Sequence, residues 1–594
     1  MKKTFLSWGP FRTDRPLSEA DRSRARERQD RARRRGMLFL LGMLFGLPLF
    51  LEALAVPAFF LGAPAAWLFF RTHRTRVRGA YRDGLCFFYG YYLLGYHWFY
   101  GMRPLDFLGF TGVGEGLFIF LSTFGLPLLL ALPIALSAPL TAAFARTPLA
   151  RRIPLLSPLT FAGVVALIRF AESFFPATVP FASCAIMLTP LPALCMTCSL
   201  FGSYFLVFLL AAVNGLLGFG AACLPPFSPL PGIASRSREG LRRRLRSLPE
   251  RLRGGRCVLP LVLAAALFAG NLLAGGVLLL LPEETDTRVR VGVVQGNISA
   301  RQQWSEEGVL DRTFAVYEEG TTALAQAGAE LVLWPESVIN VAIYPGSDAY
   351  RRLQETVARA GCAVMAGTLY AEDGNQYNSC LLLHPDGTVD DARYDKRHIV
   401  PFGEYIPLQG LVSALLPPLR GVVESTVSLS RGAGSHVSHT RVGWGCLICF
   451  DSVYPDVARE ATAEGAQILL LPTNDSWFGL TPAEETHFRH GVLRAMENGR
   501  YVVRAATTGA SGLIFPKGVV TNRIACFEEG TFLADVPAYT HKTLYTRMGD
   551  AFLLLPGVLL VCQLLSIPYY IWKERKQHGR THSGAAGADP EVRE

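Results

Sequence analysis

The sequence predicts a multi-span α-helical membrane domain of about eight transmembrane helices, with an α/β domain inserted before the final span. Three observations carry this. Of 594 residues, 50% are hydrophobic and 18% charged, whereas a typical soluble domain has about 25% charged residues. The apolar residues concentrate in the first half and in one segment near the end, while from Arg288 short β-branched runs alternate with helical stretches. The formal charge of +10 has its excess in short Arg-rich runs beside apolar stretches. That is a pattern of membrane topology, and no nucleic-acid partner is expected from it.

Residues 1–36 read as a basic cytoplasmic tail and 37–282 as a membrane domain of about seven transmembrane helices. The candidate spans are 37–54, 55–70, 85–100, 117–140, 155–175, 198–223 and 257–281. The last is the clearest, with 25 residues and no charge. At about 1.5 Å per residue it extends roughly 37 Å, more than a hydrocarbon core of about 30 Å. Pro57 lies near the junction of the first two, where a tight hairpin or a single re-entrant element would place it. The apolar stretch after the tail exceeds a signal-peptide h-region of roughly 7–15 residues, so an uncleaved first helix is expected. Arg169 and Glu172 stand at i and i+3 in the fifth span, where they can meet as an internal ion pair or serve function. Residues 551–572 form the eighth span and 573–594 a second cytoplasmic tail.

Lys and Arg in short loops collect on the cytoplasmic face. The basic loops are the tail before Gly36, then 71–82, 146–152, 236–256 and 573–580, with two spans between each and the next. All five fall on one side. Residues 283–550 are therefore expected to be extracytoplasmic, and both termini cytoplasmic.

Within 283–550, residues 289–297, 331–334, 362–370, 379–384, 442–450 and 468–473 read as strands. Residues 311–327, 347–360, 457–464 and 487–498 read as helices, and Asp386-Gly387 as a hairpin turn. About 260 residues in this pattern suffice for an independent core. Twelve Cys without regular spacing fall short of a disulfide scaffold, and no structural metal is expected.

Three places in this domain are chemically suggestive. Glu336 follows an apolar strand that Pro335 ends, at the strand tip where α/β sheets often place active groups. Lys396 lies in Tyr394-Asp395-Lys396-Arg397-His398, ahead of Pro401-Phe402-Gly403-Glu404-Tyr405-Ile406-Pro407. Cys449 ends the apolar run Gly445-Cys446-Leu447-Ile448-Cys449. Taken singly, each also has a plain reading: a solvated carboxylate, a surface lysine, a packing cysteine. A Cys446–Cys449 redox pair is disfavoured, because three residues of extended strand separate the Cα atoms by about 10 Å, beyond a disulfide's roughly 7 Å, on opposite faces.

Together the three resemble the Glu-Lys-Cys triad of the nitrilase superfamily, whose fold is an α-β-β-α sandwich. The setting resembles the apolipoprotein N-acyltransferase family, with a nitrilase-like domain placed before the last membrane helix. The resemblance covers nearly the whole chain. It rests on Val294-Gln295-Gly296-Asn297-Ile298, Trp334-Pro335-Glu336-Ser337, Lys396 with 400–407, Cys449-Phe450-Asp451, and Asn474-Asp475-Ser476-Trp477-Phe478-Gly479. Residues 494–500, Arg504-Ala505 and Thr508-Gly509 continue it. Where the family often has Tyr-Glu after the nucleophile, this chain has Phe450-Asp451.

The resemblance implies Cys449 as nucleophile, Glu336 as general base and acid, and Lys396 with the Phe450 N–H as oxyanion donors. It implies Glu404 as a further acid orienting Lys396 or substrate, and Asp451 in a supporting role. Trp304, Phe402, Trp477 and Phe478 either line a lipid entry or pack in the core. The implied acyl donor is a membrane phospholipid. The acceptor is the α-amine of the S-diacylglyceryl cysteine of an apolipoprotein at the bacterial inner membrane, without metal or organic cofactor. The alternatives are a membrane-tethered carbon-nitrogen hydrolase with water as acceptor and a non-catalytic lipid-binding or transport protein.

Overall fold

The computed structural model describes residues 18–73, 77–105, 112–175, 178–224, 258–283, 285–415 and 428–566. Of the sequence expectations, the basic stretches 236–256 and 573–580, the first seventeen residues, and the end of the eighth span at 567–572 lie outside these residues.

Helix α1 (Glu19–Gly46) runs unbroken from the basic tail into the first apolar stretch. Ser18 caps it, its Oγ accepting from the Asp21 N–H at 3.1 Å. Arginine and glutamate are good helix formers, so the boundary expected at Gly36 is a change of composition and not of backbone. The chain then passes through 3-10 turns (Leu47–Leu49 and Glu52–Leu54) into α2 (Ala63–His73) and α3 (Ala80–Gly95). Helices α1 and α3 approach through glycine: a Cβ on Gly42 would stand 2.0 Å from Phe87 O, and one on Gly90 2.1 Å from Phe39 O. At one end of this packing Asp83 accepts from Arg34 Nε (2.7 Å), Arg35 Nε (3.2 Å) and His73 Nε2 (2.8 Å), tying the three helices together.

Next come α4 (Gly112–Phe144), α5 (Leu156–Glu172), α6 (Ser203–Cys223) and α7 (Val258–Leu280). Among the described residues α4, α6 and α7 are long and apolar enough to cross a membrane, and the helix at Ala551–Ser566 is a shorter apolar one. The expected span 198–223 is interrupted at Gly202 (φ 79°), where α6 begins. Asn214 of α6 accepts from Gly62 N (2.8 Å) and donates to Ala58 O (3.0 Å), satisfying backbone left open where the expected span 55–70 breaks. Arg169 and Glu172 do meet as a buried pair in α5, and Arg169 also donates to the Tyr92 hydroxyl at 2.8 Å.

The second half is a four-layer sandwich. One sheet has the order β13-β1-β2-β4-β5-β6, with β3 on β4; the other has β12-β11-β10-β9-β8-β7. The strands are β1 (Arg288–Gln295), β2 (Leu331–Leu333), β3 (Ile339–Ile343), β4 (Ala363–Glu372), β5 (Asn375–Leu383), β6 (Tyr394–Asp395) and β7 (Val437–His439). They continue with β8 (Gly443–Cys446), β9 (Ile468–Thr473), β10 (Val502–Ala506), β11 (Ser511–Ile514), β12 (Val520–Ile524) and β13 (Gly530–Pro537). Strands β1, β2 and β4 are mutually parallel, as are β8, β9 and β10. Val291, Val293, Leu333 and Met365 of the first sheet share a core with the buried β8–β10 face of the second. The first sheet's other face (Val294, Val332, Val364) is covered by Phe314 of α8 (Val309–Gln326) and Leu353 of α9 (Asp348–Ala360). On the second sheet lie α10 (Pro455–Glu464) and α11 (Ala483–Asn498). The hairpin turn forms at Asp386-Gly387, with Gly387 (φ 84°) donating to His384 O at 2.8 Å.

Helix α11 also fixes this domain to the apolar helices of the first half. Although rich in charged residues, it is buried on nearly every side, because its far face lies against the first half of the chain. Polar contacts cross that boundary: Arg489 reaches Glu52 (2.9 Å) and Leu49 O (3.2 Å), His490 meets Phe181 O (2.8 Å), and Glu497 accepts from Ser203 N (2.7 Å).

The glycine contact makes a direct test. Gly42→Ala and Gly90→Ala should each destabilise the protein by about 1–3 kcal/mol through overpacking. Gly36→Ala, with open space around its Cβ, should be neutral or stabilising. Thermal unfolding in detergent reads the difference.

Candidate active site

Glu336, Lys396 and Cys449 are brought together where the two sheets open. Glu336 stands beyond the end of β2 and is 4% exposed. The next residue, Ser337, has a left-handed backbone (φ 48°), and the turn lies so close over β4 that a Cβ on Gly367 would fall 2.2 Å from Pro335 O. Lys396 follows β6 and is 1% exposed. Its Nζ donates to Glu336 Oε1 and Glu404 Oε1, both at 2.8 Å. Asn378 of β5 spans the same two carboxylates, at 2.7 and 2.9 Å. The remaining oxygens are also used: Asn474 N–H donates to Glu336 Oε2 (2.8 Å) and Val400 N–H to Glu404 Oε2 (2.7 Å).

Cys449 corrects the expected strand 442–450. Strand β8 stops at Cys446, and Cys449 opens a 3-10 turn (Cys449–Val453) with φ 51°. A non-glycine residue held there costs roughly 1–3 kcal/mol and persists only where the surroundings enforce it. The relation of Cys446 to Cys449 is thus set by this turn rather than by strand alternation. Cys446 instead meets Cys380 of β5 across the sheets, and both are free thiols.

The electrostatics favour a charged lysine and a resting thiol. Burial alone would lower the Lys396 pKa, but the Glu336 and Glu404 carboxylates hold it well above the ordinary lysine value. Burial pushes the Cys449 thiol well up; Glu336 adds to this, while Lys396 and a Thr473 hydrogen bond oppose it. The thiol therefore needs a base at the moment of attack, and Glu336 is a carboxylate close enough to act on its ionisation.

Asp451, with its pKa raised mainly by burial, links the lysine loop to the cysteine turn. It accepts from His398 N–H (2.8 Å), Ile448 N–H (3.1 Å) and the Tyr394 hydroxyl (2.8 Å). Phe450 packs edge-on to Tyr454, which stacks on His398 at 3.7 Å.

Residues 290–544 match the carbon-nitrogen hydrolase family. Two relatives are both named apolipoprotein N-acyltransferase. The Geobacter metallireducens protein is 33% identical over 270 residues, covering 44% of this chain and 50% of its own. The Gloeobacter violaceus protein is 33% identical over 305 residues, covering 51% and 58%. The chain thus spans about half the length of the curated relatives it matches. Among solved structures, an amidase from Nesterenkonia sp. is 20% identical, covering 45% of this chain and 94% of its own, with a TM-score of 0.34.

Around Glu336, Lys396 and Cys449 lie further residues that the structure joins to the site. Asn378 had a signal, as an amide beside an apolar strand run. In a second network beneath Cys449, Asp475 and Arg504 belong to the motifs quoted for the resemblance while His487 had no signal as a site residue: His487 Nδ1 meets Asp475 Oδ1 at 2.7 Å, Thr473 Oγ1 donates to the same oxygen at 3.1 Å, and Arg504 binds Asp475 Oδ2. Cys449, Asp475 and His487 present ligand-type atoms within 4.8 Å of one another. The Arg504 guanidinium on Asp475 already supplies the positive charge there, and a cation beside it would be repelled. Of the aromatic candidates, Trp304 is 53% exposed on the helix Ala300–Ser305, and Trp477 is half-buried in the turn Asp475–Phe478. Phe402 (φ 62°) sets its ring 6.4 Å from Phe118 of α4, and Phe478 packs on Trp98 and Phe181.

Two outcomes follow from this geometry. Glu336→Gln and Lys396→Met should each lower turnover by about 10² to 10⁴, with protein still folded by thermal unfolding, and Glu404→Ala should also impair it. Burial would raise Asp475, but Arg504 and His487 bring it down to about 2, below its ordinary 3.8. Its stabilising effect, about 2 kcal/mol, is therefore full above pH 4 to 5 and lost as pH falls through about 2. Asp475→Asn should remove that pH dependence and lower stability at neutral pH, as read by chemical denaturation across pH 6 to 2.

Proposed function

We propose that the chain is an apolipoprotein N-acyltransferase. It would transfer a fatty acyl chain from a membrane phospholipid, through a thioester on Cys449, to the α-amine of the N-terminal S-diacylglyceryl cysteine of a lipoprotein. The observation that carries this reading is the buried cluster of Glu336, Lys396, Glu404 and Asn378 beside Cys449, in a domain bolted by α11 to apolar helices.

Forming an amide without ATP requires an acyl group already activated as an ester and an intermediate that amines attack readily; a thioester is one. Glu336 takes the Cys449 proton as sulfur attacks the ester carbonyl. The oxyanion forms near Lys396 Nζ and the Phe450 N–H. Collapse expels the lysophospholipid oxygen, which takes the proton from Glu336. The α-amine, with a pKa near 8, then gives a proton to Glu336 as its nitrogen attacks the thioester, and the departing thiolate recovers one. Glu404 fixes Lys396, and Asp451 holds the lysine loop against the cysteine turn. Trp304 and Trp477 border a lipid entry together with Phe402, which reaches α4.

The membrane arrangement proposed with this has about eight spans. Residues 1–36 and 573–594 are cytoplasmic tails, 37–282 a membrane domain of about seven helices, 283–550 the extracytoplasmic catalytic domain, and 551–572 the last span, in the inner membrane of a bacterium. The five co-sided basic loops and the three long apolar helices support it.

Purified protein given labelled phospholipid and a diacylglyceryl-cysteine peptide should yield the N-acylated peptide and lysophospholipid. Free fatty acid alone would replace this reading with a hydrolase, and no turnover would point to a lipid-binding role. Reporter fusions after Arg256 and within 300–540 should report opposite sides of the membrane; the same side for both would sink the topology.

A further inference from the structure

The Asp475–His487–Arg504 network is buried, joined by hydrogen bonds and unused by the mechanism above. We propose that His487 is a positioning residue that builds the oxyanion hole: with Ser452 it anchors the Cys449 carbonyl and so aims the Phe450 N–H into the site. The inference rests on Cys449 being the nucleophile.

The geometry is as follows. Cys449 O accepts from Ser452 Oγ at 2.7 Å and lies 3.1 Å from His487 Nε2. A carbonyl oxygen can only accept, so Nε2 meets Cys449 O as a donor. In a planar trans peptide the C=O of one residue and the N–H of the next point in opposite directions. Fixing Cys449 O on His487 and Ser452 therefore fixes the Phe450 N–H on the opposite side, and that N–H has no acceptor among the described residues. A free, oriented backbone donor directly after a nucleophile is what an oxyanion hole needs, and its value depends on being set before the charge forms.

The imidazole is itself immobilised. It is 1% exposed, and its Nδ1 meets Asp475 Oδ1 at 2.7 Å. Arg504 and Thr473 hold Asp475, and Gly509 leaves it room, since a Cβ there would stand 2.5 Å from Asp475 Oδ2. The ring is flanked by Phe478 (5.8 Å) and by Phe181 (6.1 Å), which comes from the membrane half of the chain. The same contacts account for the left-handed backbone at Cys449: two donors on its carbonyl hold a conformation that the residue alone disfavours.

The test separates oxyanion stabilisation from the integrity of the thiol. Acylation of Cys449 by a p-nitrophenyl ester passes through an oxyanion, whereas alkylation by iodoacetamide displaces iodide at a saturated carbon and does not. In the full-length protein in detergent, His487→Leu should slow acylation by about 10² to 10³ and leave alkylation of the Cys449 peptide essentially unchanged. His487→Gln, whose amide N–H can reach the same carbonyl, should recover most of the rate. Ser452→Ala should show the same separation on a smaller scale, and it carries the test if the leucine variant does not fold. Wild-type acylation rates in His487→Leu, an equal loss of acylation and alkylation, or a glutamine variant no better than leucine would each overturn the role. A wild-type enzyme that the ester does not acylate at Cys449 would overturn the nucleophile reading itself, and this inference with it.

Discussion

The site depends on one buried ammonium group. Lys396 is removed from water, and a lone charge there would be prohibitive unless paired and hydrogen-bonded. Two carboxylates share it, Asn378 bridges both, and backbone N–H groups of Asn474 and Val400 take the oxygens left over. Each partner comes from a different part of the sandwich, so the cluster forms only when both sheets are in register. Its geometry also explains the strained backbone nearby. Ser337 and Phe402 take left-handed conformations beside the two carboxylate-bearing turns, and Cys449 does so opposite them. Backbone energy is spent where side chains have to converge.

The apolar first half is part of this construction. Helix α11 carries His487 on the side of the cysteine turn and Arg489, His490 and Glu497 towards the helical first half of the chain. A helix so rich in charge would ordinarily show one face to water. Here the apolar helices of the first half replace the water, and Arg489 and Glu497 find partners across the junction. The aromatic rings that enclose His487 include Phe181, so packing in the first half of the chain bears on groups beneath Cys449.

Much of this was legible in the sequence. Strands β1, β2, β4, β5, β8 and β9, helices α8 to α11, the acid after Pro335, the lysine and the cysteine followed from local pattern, because each is an apolar or amphipathic run or sits at the end of one, whereas the short β3, β6 and β7 did not. Asp386-Gly387 announced its turn chemically. Other features arise only from tertiary contact. Strands β12 and β13 are mixed in polarity, since several of their residues face partly to solvent, and the buried β10 and β11 are only five and four residues long, so no periodicity marked any of the four. The strand through Cys449 read as longer than it is, because Leu447 and Ile448 are apolar and buried although the ladder has ended. The first helix read as shorter, because a change from charged to apolar residues looks like a boundary while the backbone continues. His487, Asp475 and Arg504 could not be joined from sequence, as twelve and seventeen positions separate them and the fold alone closes the gap.

The central claim is that the acyl group rests on Cys449 between donor and acceptor. Intact mass spectrometry after incubation with phospholipid and no amine measures this most directly, since the first half-reaction needs no acceptor. The account predicts one added fatty acyl group, lost on hydroxylamine treatment, passed on when a diacylglyceryl-cysteine peptide is supplied, absent in Cys449→Ala and retained in Cys446→Ser. Acylation that survives Cys449→Ala, or a label that maps to Cys446, would contradict it.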